Sequence, residues 1–245
     1  MIRKLECYGI TGSLIRWFES YLSDRVQLVK IKNFISKEIL VCSGVGQGTH
    51  LGPLLFIIFI NDISYVFKNC SFILFADDLK IYKKITSFVD RINLQSDLNL
   101  FYEWFCDNGL YLNLVKCYFI IFGKNKIQPL MYSISDMGLE KVSVVKDLGI
   151  YFDENLNFET HIEYIILKAK KKLNFLKRYT KNFVQKDSFR TLYYSYYYPF
   201  LMFGSEIWSP INKNLIYNIE KLNHLFLRYA SYRIGFSMCL IDHDY

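Results

Sequence analysis

The chain has 245 residues, a formal net charge of +7, and an unusual load of aromatics, with 21 Phe and 20 Tyr. That length allows one large or two small hydrophobic cores, and the aromatic content excludes a disordered chain. The six cysteines fall in no C-x-x-C or C-x-x-H spacing, so neither a zinc site nor a disulfide framework is suggested, and Met1–Cys7 lacks the apolar core of a signal peptide.

Reading along the chain, the first distinctive segment is Ser43-Gly44-Val45-Gly46-Gln47-Gly48-Thr49-His50-Leu51-Gly52-Pro53. Its glycines let backbone approach a ligand closely and adopt positive φ. Pro53 suits the first turn of a helix, because its missing N–H has no partner to lose there. The apolar run Leu54–Ile60 is too short to cross a bilayer and predicts a buried helix ending near Asn61. The spacing matches neither the GxxxxGK[ST] phosphate loop nor the dinucleotide GxGxxG pattern.

Next comes Ser71-Phe72-Ile73-Leu74-Phe75-Ala76-Asp77-Asp78-Leu79-Lys80-Ile81-Tyr82-Lys83. Two β-forming runs flank an Asp pair, which predicts a tight hairpin with the carboxylates at or beside its tip. Adjacent carboxylates repel each other, and a nearby hard cation such as Mg²⁺ relieves the crowding. An Asp pair at a tip also reads as an ordinary solvated turn. Nothing in the dipeptide itself decides between the two.

Further on, Ile162, Ile165, Ile166, Ala169, Leu173 and Leu176 recur at helical spacing, and Thr160 with Glu163 reads as a capping box at the start. Between Lys168 and Arg190 stand nine Lys or Arg and a single acid, Asp187. Such a run can be a solvated face or a phosphate-binding surface. Ser188–Trp208 and Leu215–Tyr232 predict two more helices, interrupted near Pro199, Gly204 and Pro210. Tyr193, Tyr194, Tyr196, Tyr197 and Tyr198 read as core with surface hydroxyls more readily than as base-stacking rings. The residues from Ile234 onward read as a frayed end.

The glycine-rich loop with its helix, followed by the FADD hairpin, resembles the reverse transcriptases of non-LTR retrotransposons of the jockey-like type. That family carries a "SGVPQGSxLGPLLFxxxINDL" loop-helix and then a "xxxLFADDxxxY" hairpin at similar spacing. Asn108–Cys117 is similar to its "NGLxLNxxKC", and Val145–Asp153 to its "KDLGVxFD" primer-grip strands. Leu5–Ile31, with Trp17, Tyr21, Arg25 and Gln27, resembles the stretch between its first two catalytic motifs.

The resemblance implies an α+β fold: a right-hand polymerase palm (1–155), an antiparallel sheet backed by helices, followed by a helical thumb (156–245). It implies an RNA-directed DNA polymerase, a nucleotidyltransferase that adds deoxynucleotides to a primer 3′-hydroxyl by two-metal phosphoryl transfer. Asp77 and Asp78 would hold Mg²⁺ or Mn²⁺, and Lys116 would stabilise or protonate the leaving pyrophosphate. Gly46, Gln47 and Gly48 would face template and nucleotide, and Leu148 and Gly149 would seat the primer end. Lys168, Lys171, Lys172, Lys177 and Arg178 would contact the template–primer duplex. The partners implied are an RNA template, a DNA primer, deoxynucleoside triphosphates and the upstream reverse transcriptase and endonuclease regions of such an element, with no membrane role. An intracellular location, nuclear or cytoplasmic, is expected.

Two departures qualify the resemblance. Gly46 stands at the family's usual Pro, which should loosen the loop. The family's first catalytic motif, an F-x-D-x-x-x-A-F-D strand with the third metal-binding carboxylate, has no counterpart among Met1–Cys42, so the chain by itself is expected to be inactive. The alternative expectation is a non-catalytic nucleic-acid-binding remnant. Without the missing strand and the fingers, the palm sheet should expose an edge and part of its apolar face.

Overall fold

The computed structural model describes residues 1–123, 131–210 and 212–235. In chain order the helices α1 (Ile2–Cys7) and α2 (Gly12–Leu22) precede the short strands β1 (Val26–Gln27), β2 (Lys30–Ile31), β3 (Phe34–Ile35) and β4 (Ile39–Leu40). Helix α3 (Leu51–Ile60) leads to the hairpin β5 (Ser71–Phe75) and β6 (Asp78–Tyr82), then α4 (Phe88–Asp107). Strands β7 (Tyr118–Phe119), β8 (Ser133–Ile134), β9 (Met137–Gly138), β10 (Glu140–Lys141), β11 (Val144–Asp147) and β12 (Ile150–Asp153) follow. The remainder is helical: α5 (Glu159–Tyr179), α6 (Lys186–Leu192), α7 (Tyr198–Met202), α8 (Ser205–Trp208) and α9 (Lys213–Ile234). The mixture of helix and sheet agrees with the expected α+β class. Among the described residues, no helix is long and apolar enough to cross a membrane.

Two compact units divide the chain, Met1–Lys116 with Leu130–Leu139, and Cys117–Pro129 with Glu140–Tyr245. In the first, Leu5, Phe18 and Leu55 form a small core that joins α1, α2 and α3. Lys4 fixes the end of α3 by donating to the Phe59 carbonyl at 2.6 Å and to the Asp62 carboxylate at 2.9 Å. The cation thus sits where the exposed carbonyls of a helix C-terminus favour positive charge. Helix α3 ends at Ile60, as its sequence predicts, yet it is not buried all round: Leu54 and Ile57 are about half exposed. Only one face meets the small core, which corrects the expected buried helix.

The β5–β6 ladder pairs Phe75 with Asp78 and Ser71 with Tyr82, leaving Ala76 and Asp77 as a two-residue loop. Ala76 has φ +53°, the positive angle that two-residue hairpin loops require to match strand twist. Among the described residues, this hairpin and its neighbours do not join into the single palm sheet expected, and each sheet is a two-stranded ladder. Ile73, Phe75 and Tyr82 stay exposed on one face of the hairpin, which they share with Ser71, Asp78 and Lys80.

In the second unit, Ile162, Ile165, Ala169, Leu173 and Leu176 of α5 pack with Ile150, Tyr197, Leu201, Trp208, Leu222 and Phe226 into the larger core. The period-3.6 stripe therefore buries as its spacing predicts. Its start differs. The helix begins at Glu159, with Phe158 at the N-cap making no side-chain cap bond, so Thr160 and Glu163 form no capping box. Instead, buried Asp153 accepts the backbone N–H groups of Asn155, Asn157 and Phe158, and Asn157 Oδ1 accepts that of Glu159. These acceptors organise the approach so that the helix starts two residues before a Thr160 cap would allow.

The expected helix over Ser188–Trp208 is broken into three. A π-helical stretch, Tyr193–Tyr197, lies between α6 and α7, and Gly204 at φ +66° ends the run before α8. Pro199 has no N–H to donate, and the wider turn just before it accommodates the lost bond. Tyr197 is fully buried with its hydroxyl donating to the Leu222 carbonyl, whereas Tyr194 is about half exposed. The tyrosine run is thus part core, part surface. Helix α9 runs from an Asn212 cap to Gly235 in the left-handed conformation; beyond Gly235 the expected frayed end lies outside the described residues.

Candidate functional site

The hairpin places both carboxylates where the sequence expects them. Asp77 occupies the loop and Asp78 opens β6, and both are exposed. Strand alternation puts Asp78 on the same face as Phe75, Ile73, Lys80 and Tyr82. Adjacent carboxylate oxygens suit a hard divalent cation such as Mg²⁺ or Mn²⁺ in kind. In number they fall short, because among the described residues no three His, Cys, Asp or Glu side chains come together as a metal site. The donor set fits such an ion as part of a larger site.

What fixes the hairpin's entrance is a residue the sequence reading passed over. Asp97, fully buried on α4, accepts the backbone N–H groups of Lys68, Asn69 and Cys70 on one oxygen at 3.2, 2.8 and 2.8 Å. Its other oxygen takes the Asn69 side-chain amide at 2.9 Å. Burial disfavours the charged form, but the hydrogen bonds from Asn69 and Cys70 outweigh it and hold this carboxyl below the usual range. Burial and the adjoining Asp97 push the Cys70 thiol up to about 12. The turn that feeds Ser71 into β5 is thereby pinned from α4.

The glycine-rich loop is braced by three side chains. Arg25 donates to the carbonyl of Gly44 at 2.6 Å and to that of Leu22 at 3.1 Å. Thr49 Oγ1 donates to the Gly46 carbonyl at 2.8 Å, and receives the Gly52 N–H and the Tyr21 hydroxyl at 3.1 Å each. Gly52 is needed for contact rather than for φ: a Cβ there would sit 2.6 Å from the Gly46 carbonyl oxygen. Gly48 has φ +76°, and Gln47 beside it is exposed. Lys116 is exposed at the end of a 3₁₀ turn after α4.

In the second unit, Leu148 and Gly149 form the two-residue loop of the β11–β12 hairpin at φ +44° and +95°. A Cβ on Gly149 would press to 3.2 Å from the Phe203 ring. The basic face of α5 is less uniform than its sequence suggests. Lys168, Lys171 and Arg178 are exposed, while Lys172 and Lys177 are half-buried. The Lys172 ammonium lies 4.1 and 4.6 Å from the Tyr196 and Phe200 ring centres and donates to the Tyr196 carbonyl; burial lowers its pKa. That of Lys177 lies 5.8 Å from the Tyr229 ring. The structure thus gathers the predicted residues into local groups: the carboxylates at one tip, the braced loop, the second hairpin and the α5 face.

Comparison with known proteins bears on what these groups do. The reverse transcriptase (RNA-dependent DNA polymerase) family matches residues 1–191. The chain is 24% identical over 217 residues to a probable RNA-directed DNA polymerase from transposon X-element of Drosophila melanogaster, covering 86% of the chain and 24% of that relative. It is 26% identical over 222 residues to the corresponding protein of transposon BS, covering 86% of the chain and 24% of that relative. It is 27% identical over 155 residues to the RNA-directed DNA polymerase from mobile element jockey, covering 60% of the chain and 17% of that relative. The chain therefore spans about a quarter or less of the length of these relatives. No solved structure matches it significantly. With its loop-helix, FADD hairpin and second hairpin all inside the matched region, this chain belongs to the reverse transcriptase family.

Proposed function

We propose that these residues form the palm and thumb parts (1–155 and 156–245) of an RNA-directed DNA polymerase that serves retrotransposition. The exposed Asp77–Asp78 pair, held at a two-residue hairpin tip, is the observation that carries this reading. Asp77 and Asp78 would hold the divalent cation, Mg²⁺ or Mn²⁺. When bound, such an ion supplies the Lewis acidity that a hydroxyl attack on a nucleoside triphosphate requires.

The chain's own residues carry the remaining roles. Gly46, Gln47 and Gly48 present backbone without obstructing side chains to the template and incoming deoxynucleoside triphosphate. Lys116 places a cation against the leaving pyrophosphate. Leu148 and Gly149 seat the end of the DNA primer, and the α5 cations attract the RNA–DNA duplex through its phosphates. Lys171 and Arg178 are exposed for this role, and Lys168, Lys172 and Lys177 contribute from the edge of their aromatic contacts.

Two carboxylates make an incomplete two-metal site, so these 245 residues by themselves extend no primer. Primer extension on an RNA template, run with the chain and its Asp77→Ala variant, tests this reading together with duplex binding. The expected outcome is salt-sensitive duplex binding without extension. Robust Mg²⁺-dependent extension abolished by Asp77→Ala would overturn the inactivity, and duplex affinity insensitive to salt would overturn the thumb role.

A further inference from the structure

We infer that the outer face of α9 is a separate binding surface for single-stranded nucleic acid. Lys213, Tyr217, Lys221, His224, Arg228 and Tyr232 follow one another at spacings of three or four, and all six are exposed. At the helical rise of roughly 1.5 Å per residue they form a stripe about 28 Å long. They lie opposite Leu222, Phe226 and Ala230, which are buried in the core, so displaying this stripe asks nothing of the fold.

Two features separate it from an ordinary solvated face. Tyr217 and Tyr232 are 62% and 82% exposed, a large apolar area to leave in water when the core lies on the same helix. They also alternate with cations: the Lys221 ammonium stands 5.9 Å from the Tyr217 ring. A shallow groove lined by Tyr217, Lys221, His224, Leu225 and Arg228 runs along the stripe, with Glu220 as its carboxylate.

Rings open to solvent between cations suit unpaired bases, which stack on the rings while the phosphates meet the ammonium and guanidinium groups. A duplex hides its base faces and would use the cations alone. A lipid surface would call for exposed Leu or Phe along the stripe, whereas the one Leu of the groove, Leu225, is partly buried against the core. Helix α9 lies wholly beyond residue 191, where the family match ends. This surface does not depend on the roles proposed for Asp77, Asp78 or α5.

The test is fluorescence anisotropy of the whole chain with labelled oligothymidine, labelled oligouridine and a labelled duplex. Replacing Tyr217 and Tyr232 together by Ala should weaken single-strand binding roughly tenfold or more and leave duplex binding unchanged. The pair replaced by Phe should keep the affinity. Replacing Lys213, Lys221 and Arg228 by Gln should make the plot of log K against log salt shallower by about 2 for single strands. Binding of either oligonucleotide that follows this pattern supports the proposal. Absence of single-strand binding overturns it, as does an Ala pair that binds like the unmodified chain or loses duplex affinity equally.

Discussion

Replacing Asp97 by Ala tests how the hairpin that bears the carboxylates is held. The substitution removes acceptors from three backbone N–H groups and one side-chain amide, with three of the four bonds at 2.8 to 2.9 Å. Hydrogen bonds to a charged group contribute roughly 1.5–3 kcal/mol each, but three share one oxygen, so about 3–5 kcal/mol is expected for the set. Asp97→Asn can keep an oxygen toward the three backbone donors, and the Asn69 amide can turn to offer its own oxygen; a loss of about 1–2 kcal/mol follows. Urea unfolding gives the totals, and native-state hydrogen exchange of the Phe72–Phe75 and Leu79–Tyr82 amides locates the effect. The carboxyl's lowered folded pKa adds a pH signature: its stabilisation is present above the ordinary carboxylate range and is lost as pH falls through the lower folded value. Asp97→Ala should lack that acid-induced loss. A destabilisation below about 1 kcal/mol, or hairpin protection unchanged while other regions loosen, would refute the reasoning.

Two further outcomes probe the second unit. His161 is buried, with Nδ1 accepting the Tyr151 N–H at 3.3 Å, and among the described residues Nε2 has no hydrogen-bond partner. Burial and then the charge of Lys146 lower its pKa, so its contribution to stability is complete above the unfolded value of about 6.5 and is lost as pH falls below it. Thermal unfolding followed by circular dichroism from about pH 7.5 to about pH 5 should show that loss, and His161→Leu should flatten it; equal slopes would contradict this. Gly204→Ala must hold Ala at φ +66° with its Cβ 2.6 Å from Ile150 Cδ1, and a loss of about 2–3 kcal/mol is expected from strain and displacement together. A urea midpoint like that of the unmodified chain would show that Ile150 moves aside freely.

Local pattern made much of this legible. The FADD hairpin has a β-forming apolar run before a two-residue loop and an alternating run after it, and α5 repeats its apolar residues at helical period, so both form where the residues predict. The arrangement around them was less legible because its causes are distant in sequence. Asp97 looks like any polar residue of a helix, and its partners lie 27 to 29 positions away. The start of α5 was misread because Asp153, five residues before Phe158, supplies acceptors that the Thr160–Glu163 pattern cannot reveal. Charge at Lys172 gave no sign that its ammonium lies over Tyr196 and Phe200. The glycine loop is an intermediate case: Tyr21 and Arg25 were visible within the motif, but their bonds to Thr49 and Gly44 required the fold.

Paramagnetic line broadening by Mn²⁺, read along the backbone amides of the chain, tests most directly whether Asp77 and Asp78 are a polymerase-type cation pair. Broadening centred on Ala76–Leu79, competed by Mg²⁺ and lost when both aspartates become Asn, is the result expected. Broadening centred elsewhere, or undiminished in the double variant, would contradict the assignment.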